Sequence, residues 1–73
     1  MAYDYRKLCA RIVEIFGTQA SFATAMGKSE RTISLKLNNK VDWSQDEMTQ
    51  AAGLLKFELE SIPDYFFVLR VQS

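Results

Sequence analysis

Basic and polar side chains are concentrated between residues 17 and 40, and this is the part of the sequence best suited to chemistry. Residues 28–40 hold four basic residues, Lys28, Arg31, Lys36 and Lys40, against the single acidic residue Glu30. Residues 42–64 hold six acidic residues and one basic residue, and the whole chain has no net charge. A basic segment in such a polarised chain favours binding to an anionic partner.

The residue types that most enzymes need are missing. The chain has no histidine, which is the commonest general base and metal ligand. Its only cysteine, Cys9, can form neither an internal disulfide nor a cysteine zinc site, and we expect it to be a buried hydrophobic residue. No metalloprotease, nucleophile-elbow or phosphate-loop motif is present. We therefore expect no enzyme activity, no cofactor and no metal, which leaves binding.

The composition indicates one soluble domain, residues 1–73. An apolar fraction of 48% with 25% charged residues is typical of a compact globule and not of a disordered chain. No apolar run approaches the roughly 20 residues that a membrane-spanning helix needs. The N-terminal stretch MAYDYRKLCARIVE carries charges throughout, unlike a signal peptide. We expect a cytoplasmic protein with no membrane partner.

Hydrophobic spacing and capping residues predict an all-α architecture of five helices. Glycines 17 and 27 are expected to end the first two helices, and Ser44-Gln45-Asp46-Glu47 matches a capping box that opens the fourth. The first two predicted helices are about Asp4 to Phe16 and Gln19 to Met26. The third is capped by Ser29 and runs to about Asn38, the fourth follows Ser44, and a short final helix has Pro63 in its first turn. The predicted core residues are Leu8, Ile12, Phe16, Phe22, Met26, Ile33, Leu37, Met48, Ala52 and Leu55. The tail, residues 68–73, could be a strand, a docked segment or an interface.

The third helix has a polar side that its core contacts leave free. At about 100° per residue, Ile33 and Leu37 lie on one side, which predicts that they face the core. Arg31, Leu35 and Asn38 then point away from the core, with Ser34 and Lys36 on the flanks. We therefore expect the outer side of this helix to contact a partner.

Two short helices joined by a glycine turn, with the second facing outwards, form the helix-turn-helix arrangement. The residues that match it are Thr18-Gln19, Phe22-Ala23, Met26-Gly27, Ser29, Thr32-Ile33 and Asn38-Asn39-Lys40. On these residues the chain resembles the lambda-repressor-like domains of phage repressors and Cro proteins. The later stretch WSQDEMTQAAGLLKFELESIPDYFF resembles the C-terminal helices of small Cro-like regulators of temperate phages of Gram-positive bacteria, especially those of the modulator-of-repression type. The resemblance implies a compact five-helix lambda-repressor-like domain with its motif at about residues 18–38.

The resemblance also implies which residues contact DNA or a protein partner. They are Gln19, Lys28, Ser29, Glu30, Arg31, Ser34, Leu35, Lys36, Asn38 and Lys40. Two of these depart from the family pattern, because Lys28 replaces an apolar turn residue and Lys36 replaces a core leucine. Glu30 fits DNA poorly, since a carboxylate in the first turn of the helix favours the helix dipole but repels phosphate.

Two functions follow from these residues. In the first, the protein is a phage transcriptional regulator of the lysis–lysogeny switch, and its third helix reads double-stranded operator DNA, with a homodimer as one possibility. In the second, it is an antirepressor that docks on the cognate phage repressor through the same face. An apolar residue beside an arginine, as at Leu35 and Arg31, favours a protein partner. Either function places the protein in the cytoplasm of the bacterial host.

Overall fold

A computed structural model of the chain describes residues 2–71, and within them the fold is all-α. It contains the five α-helices that the sequence predicts and, in addition, one 3-10 turn that was not predicted. The elements are α1 (Arg6–Phe16), α2 (Gln19–Met26), α3 (Glu30–Leu37), α4 (Gln45–Leu54), the 3-10 turn Leu59–Ser61 and α5 (Ile62–Phe66).

The predicted capping residues set the ends of the middle helices. The hydroxyl of Thr18 accepts from the amide of Ser21 and opens α2, and the hydroxyl of Ser29 accepts from the amide of Thr32 and opens α3. Gly27 ends α2 with a φ of 72°, in the left-handed region that a residue without a Cβ adopts at no steric cost. The capping box at α4 is present, since Ser44 and Glu47 exchange both of its hydrogen bonds.

Helix α1 begins two residues later than predicted, at Arg6 and not at Asp4. The Asp4 amide donates to the Val68 carbonyl at 2.6 Å, so the residues before α1 pair with the tail in extended form. The Asp4 carboxylate accepts from the amide of Arg6 and forms an ion pair with its guanidinium at 2.7 Å. Docking of the tail therefore determines where α1 starts.

The core is one cluster to which all five helices contribute. Seven of the ten predicted core residues are buried, and Phe16, Leu37 and Met48 are only partly buried at its edge. The sequence prediction missed Trp43 and Phe66, whose rings pack edge to face at a centroid distance of 5.2 Å. Both lie in or beside segments with no clear helical periodicity, which is why the pattern did not identify them. Tyr5, Ala23 and Ala51 are also buried.

Ile33 fixes the orientation of α3, because its side chain is fully buried. Replacing Ile33 with alanine is expected to lower the free energy of unfolding by about 2–5 kcal/mol, since it leaves a cavity in the core. Urea denaturation followed by circular dichroism measures this difference. The matched control is Val13→Ala, because Val13 is 59% exposed on α1 and its truncation is expected to change stability by at most about 0.5 kcal/mol. Equal loss in the two variants would contradict the described orientation of α3.

Candidate binding face on helices α2 and α3

The outer side of the motif carries a shallow notch between the start of α2 and the first turns of α3. It has a volume of about 530 Å³ and is lined by Gln19, Glu30, Arg31, Ser34 and Leu35. All five were predicted as binding residues, and the fold brings them together although Gln19 comes from a different helix. We call these five residues the α2–α3 notch.

The notch is held in place by buried contacts beneath it. Phe22 and Met26 of α2 and Ile33 of α3 are buried in the same cluster, and the turn between the helices is fixed by the left-handed Gly27. The amide of Lys28 also donates to the carbonyl of Ala23 at 3.0 Å, which closes the end of α2. The two helices are thus fixed relative to each other before any partner binds.

Glu30 and Arg31 are the exposed residues of the notch, and the other three are half-buried. The prediction that Leu35 points freely into solvent is therefore only partly right. Leu35 lies on the side of α3 opposite Ile33, but it is half-buried and lines the same notch as Gln19. A half-buried leucine next to an exposed arginine gives the face both an apolar and a charged contact.

Lys36 does not belong to this face, which corrects the prediction that it contacts DNA or a partner. Its side chain is 7% exposed, and its ammonium lies 2.9 Å from Glu47 Oε1 and donates to the Asp42 carbonyl at 2.8 Å. The same ammonium lies 5.7 Å from the centroid of the Trp43 ring. The prediction that Ile33 and Leu37 face the core together is therefore only partly right. The side of α3 that faces the core is centred between Ile33 and Lys36, and Leu37 lies at its edge.

Lys28 is held by the same carboxylate. Its ammonium lies 3.0 Å from Glu47 Oε2, and its side chain is 31% exposed. Lys28 remains predicted as a binding residue, but its ammonium is already paired within the chain. Glu47 lies in the first turn of α4, so one carboxylate forms ion pairs with two of the four basic residues in the 28–40 segment.

The pKa of Glu47 reflects these contacts. Burial alone would raise it, but the hydrogen bond from the Ser44 amide and the ammonium groups of Lys36 and Lys28 outweigh burial and lower the pKa from 4.5 to about 2. The carboxylate is therefore ionised at neutral pH.

Three further predicted residues lie around the notch. The hydroxyl of Ser29 is engaged in capping α3, and the side-chain amide of Asn38 donates to the Ser34 carbonyl at 2.7 Å. Lys40 is exposed beyond the end of α3. Asn39, which the prediction did not include, has a φ of 62° and uses its side chain to hold the backbone of Tyr3.

The chain is similar to known proteins in both sequence and structure. Residues 1–68 match the profile of a family described as a protein of unknown function, DUF739. The chain belongs to that family. The DUF739 chain is also 51% identical to a protein whose solution structure is described as the modulator of repression of the temperate bacteriophage TP901-1 from Lactococcus lactis. The match covers 99% of this chain and 97% of that one, with a TM-score of 0.82. No curated protein matches the chain.

The described part of the DUF739 chain also has a second hollow, of about 540 Å³, which lies at the tail beside Asp4, Leu69 and Arg70. No group of three or more histidine, cysteine or acidic side chains in residues 2–71 is arranged to hold a metal ion. None of the described helices is both long and apolar enough to cross a membrane. Cys9 is half-buried, and burial raises the pKa of its thiol. The α2–α3 notch is the candidate site because it brings together five residues predicted to bind a partner.

The position of Glu47 predicts how stability depends on pH. Its folded-state pKa of about 2 lies below the ordinary 4.5, so its ionised form stabilises the fold above about pH 5, and this contribution is lost as pH falls towards 2. Glu47→Gln keeps a residue that supports a capping box but removes the anion beside Lys36. We expect it to lower the free energy of unfolding by about 3 kcal/mol at pH 7, with the difference from the parent shrinking between about pH 5 and pH 2.

Urea titrations at a series of pH values measure this effect. Asp46→Asn is the matched control, because Asp46 is exposed in the same turn of α4 and its charge is expected to contribute at most about 1 kcal/mol through the helix dipole. A pH profile of Glu47→Gln parallel to that of the parent would show that Glu47 does not hold the two lysines together.

Proposed function

We propose that this protein is a non-enzymatic regulator of the lysis–lysogeny switch of a temperate phage, and that it acts by docking on the phage repressor through the α2–α3 notch. The observation that carries the proposal is the 51% identity, over almost the whole chain, to a protein described as a phage modulator of repression. The charges and shape of the notch supply the physical argument for a protein partner.

The charge distribution argues against strong DNA binding by this chain alone. Affinity for DNA comes mainly from cations placed against phosphates. Glu47 already pairs with Lys28 and Lys36, so Arg31 and Lys40 are the exposed cations of the 28–40 segment. Glu30 lies in the notch beside Arg31 and would repel phosphate at the same position. With zero net charge on the chain, long-range attraction to DNA is also weak.

A repressor offers a better-matched partner. The DNA-binding surface of a repressor must itself be basic, because it neutralises phosphates. Glu30 and the six acidic residues between 42 and 64 would attract such a surface. Leu35 gives the notch an apolar residue whose remaining surface can be covered, and Arg31 can pair with a carboxylate or stack on an aromatic ring. Docking at the repressor's reading surface would block its access to operator DNA.

Direct operator recognition is the second candidate, and the exposure of Arg31 in the first turn of α3 favours it. An arginine at this position can donate two hydrogen bonds to a guanine, and Ser34 and Leu35 can contact neighbouring base edges. The two functions are compatible, because a complex with the repressor could still contact DNA.

A gel-shift experiment with switch-region DNA distinguishes the two functions. It compares this protein alone, the cognate repressor alone, and both together at matched salt. If the protein docks on the repressor, it should not shift the DNA alone but should change the shift that the repressor produces. A specific shift by this protein alone, with an unchanged repressor shift, would overturn the docking proposal and support operator recognition.

Leu35→Ala tests the apolar contact. We expect it to weaken binding to the repressor by about tenfold or more, because the proposed interface loses the apolar side chain that the repressor would cover. Isothermal titration calorimetry with the purified repressor measures the change. Leu59→Ala is the matched control, since Leu59 is 58% exposed and lies outside the notch. Equal affinities of the two variants would argue against the notch as the docking surface.

Arg31→Ala and Lys40→Ala separate base reading from phosphate contact on DNA. If α3 reads an operator, Arg31→Ala should cost about 1–3 kcal/mol on specific DNA and relax discrimination at one base pair. Lys40→Ala should weaken binding to all sequences similarly and flatten the salt dependence. Fluorescence anisotropy on specific and random duplexes measures both effects. Equal losses on both duplexes for Arg31→Ala would mean that it contacts only phosphate.

A further inference from the structure

The C-terminal segment of the described chain forms a small antiparallel pair with the N-terminus. Tyr3 and Leu69 lie opposite each other in this pair. The amide of Asp4 donates to the carbonyl of Val68 at 2.6 Å, and the amide of Arg70 donates to the carbonyl of Ala2 at 3.0 Å. Because these bonds flank the pair, the backbone groups of Tyr3 and Leu69 themselves point away from each other, to opposite edges.

The two edges of this pair differ in their hydrogen bonding. On the Tyr3 edge, the side chain of Asn39 accepts from the Tyr3 amide at 2.8 Å and donates to the Tyr3 carbonyl at 3.0 Å. Asn39 thus satisfies this edge as a third strand would. On the other edge, neither the amide nor the carbonyl of Leu69 makes a hydrogen bond to any residue between 2 and 71. That edge is open.

The open edge is also strongly apolar. The exposed fractions along it are 48% for Phe67, 42% for Val68, 47% for Leu69 and 88% for Val71. Proteins usually protect an exposed strand edge with charged residues or proline, because it invites pairing with another strand. Here Arg70 is the only charged residue between positions 67 and 71.

We propose that a second copy of this chain pairs with this edge, antiparallel and centred on Leu69. The Leu69 amide of each copy would donate to the Leu69 carbonyl of the other. Such a two-fold contact requires a self-complementary segment. Residues 68–70 provide one, while Phe67 before them ends α5. Leu69 would lie opposite Leu69 of the second copy, and Arg70 opposite the uncharged Val68.

The charges near this edge are compatible with the pairing. The register places no two arginines directly opposite each other, since Arg70 pairs with a valine. Asp4 lies on the adjoining strand, opposite Val68 through its amide. Its carboxylate offsets the charge of Arg70, which in turn helps to lower the pKa of Asp4 after the larger effect of Arg6.

The pairing would set the spacing of the two binding faces without covering them. The order across the extended sheet would be Asn39, Tyr3, Leu69 and then the same three positions of the second copy in reverse. At about 4.8 Å between neighbouring backbones, the two Tyr3 backbones would lie about 14 Å apart. Each of them is held by the side chain of Asn39, just past the end of α3. One short strand per partner is smaller than a standard interface of about 800 Å², so we expect transient association at high concentration.

Sedimentation equilibrium of the full chain, from about 10 µM to about 1 mM, tests the proposal. We expect the average mass to rise from 8.4 kDa towards twice that value. Leu69→Lys should weaken association by about tenfold or more, because it places like charges opposite each other at the two-fold axis. The matched control is Leu59→Lys, at a leucine that is 58% exposed away from this edge, and it should associate like the parent.

A second variant, Leu69→Pro, and hydrogen exchange of the Leu69 amide test the backbone pairing directly. The proline removes only the outward amide and leaves the bonds to Asp4 and Ala2, so it should abolish association while the helical circular dichroism is unchanged. In the parent, exchange of the Leu69 amide should slow as concentration rises. A parent chain that stays monomeric at about 1 mM, or a Leu69→Lys chain that associates like the parent, would overturn the proposal. Protection of the Leu69 amide that appears only when repressor is added would assign the edge to the repressor instead.

Discussion

The Glu47 carboxylate, placed between the ammonium groups of Lys28 and Lys36, is the contact on which the functional part of the fold depends. A lysine that is 7% exposed would be strongly destabilising without an anion, because its charge loses contact with water. Glu47 supplies that anion from the first turn of α4, and the Asp42 carbonyl completes the contact. Removing one partner would leave the other charge buried, so α3, α4 and the connection between them are stabilised together.

The same contact shapes the chemistry of the outer face. Lys28 and Lys36, which a helix-turn-helix could direct at phosphates, are turned towards Glu47 of α4. The α2–α3 notch is left with one arginine, one glutamate, two uncharged polar residues and one leucine. Such a mixed surface suits a partner that has its own charges and apolar groups. The similarity to a phage modulator of repression supports a regulatory role of the same kind. The physical argument and the comparison are independent, and both favour the docking proposal.

The two ends of the described chain are linked to this motif through Asn39. Its left-handed backbone, with a φ of 62°, ends the α3 segment and directs its side chain to the Tyr3 backbone. Tyr3 pairs in turn with Leu69, so the exit of α3, the N-terminus and the tail lie side by side. A partner at the tail edge would therefore lie two strands away from the end of α3. This proximity gives the fold a way to combine self-association with partner binding.

The sequence by itself determined the features that depend on local interactions. The caps at Thr18, Ser29 and Ser44, the glycine turns and the bounds of α2 could be predicted, because they depend on residues only a few positions apart. The five residues that line the α2–α3 notch were expected from the resemblance to a known family, and the fold places them together. Only the tertiary structure decided which lysines are free, where α1 begins and how the tail docks. Lys36 pairs with Glu47, eleven positions away along the chain. The Asp4 amide pairs with Val68, sixty-four positions away, and Asn39 with Tyr3, thirty-six positions away. Helical periodicity carries no information about such distant pairs. A buried lysine looks like a surface lysine in the sequence, and its position is set only when the fold brings a carboxylate to it.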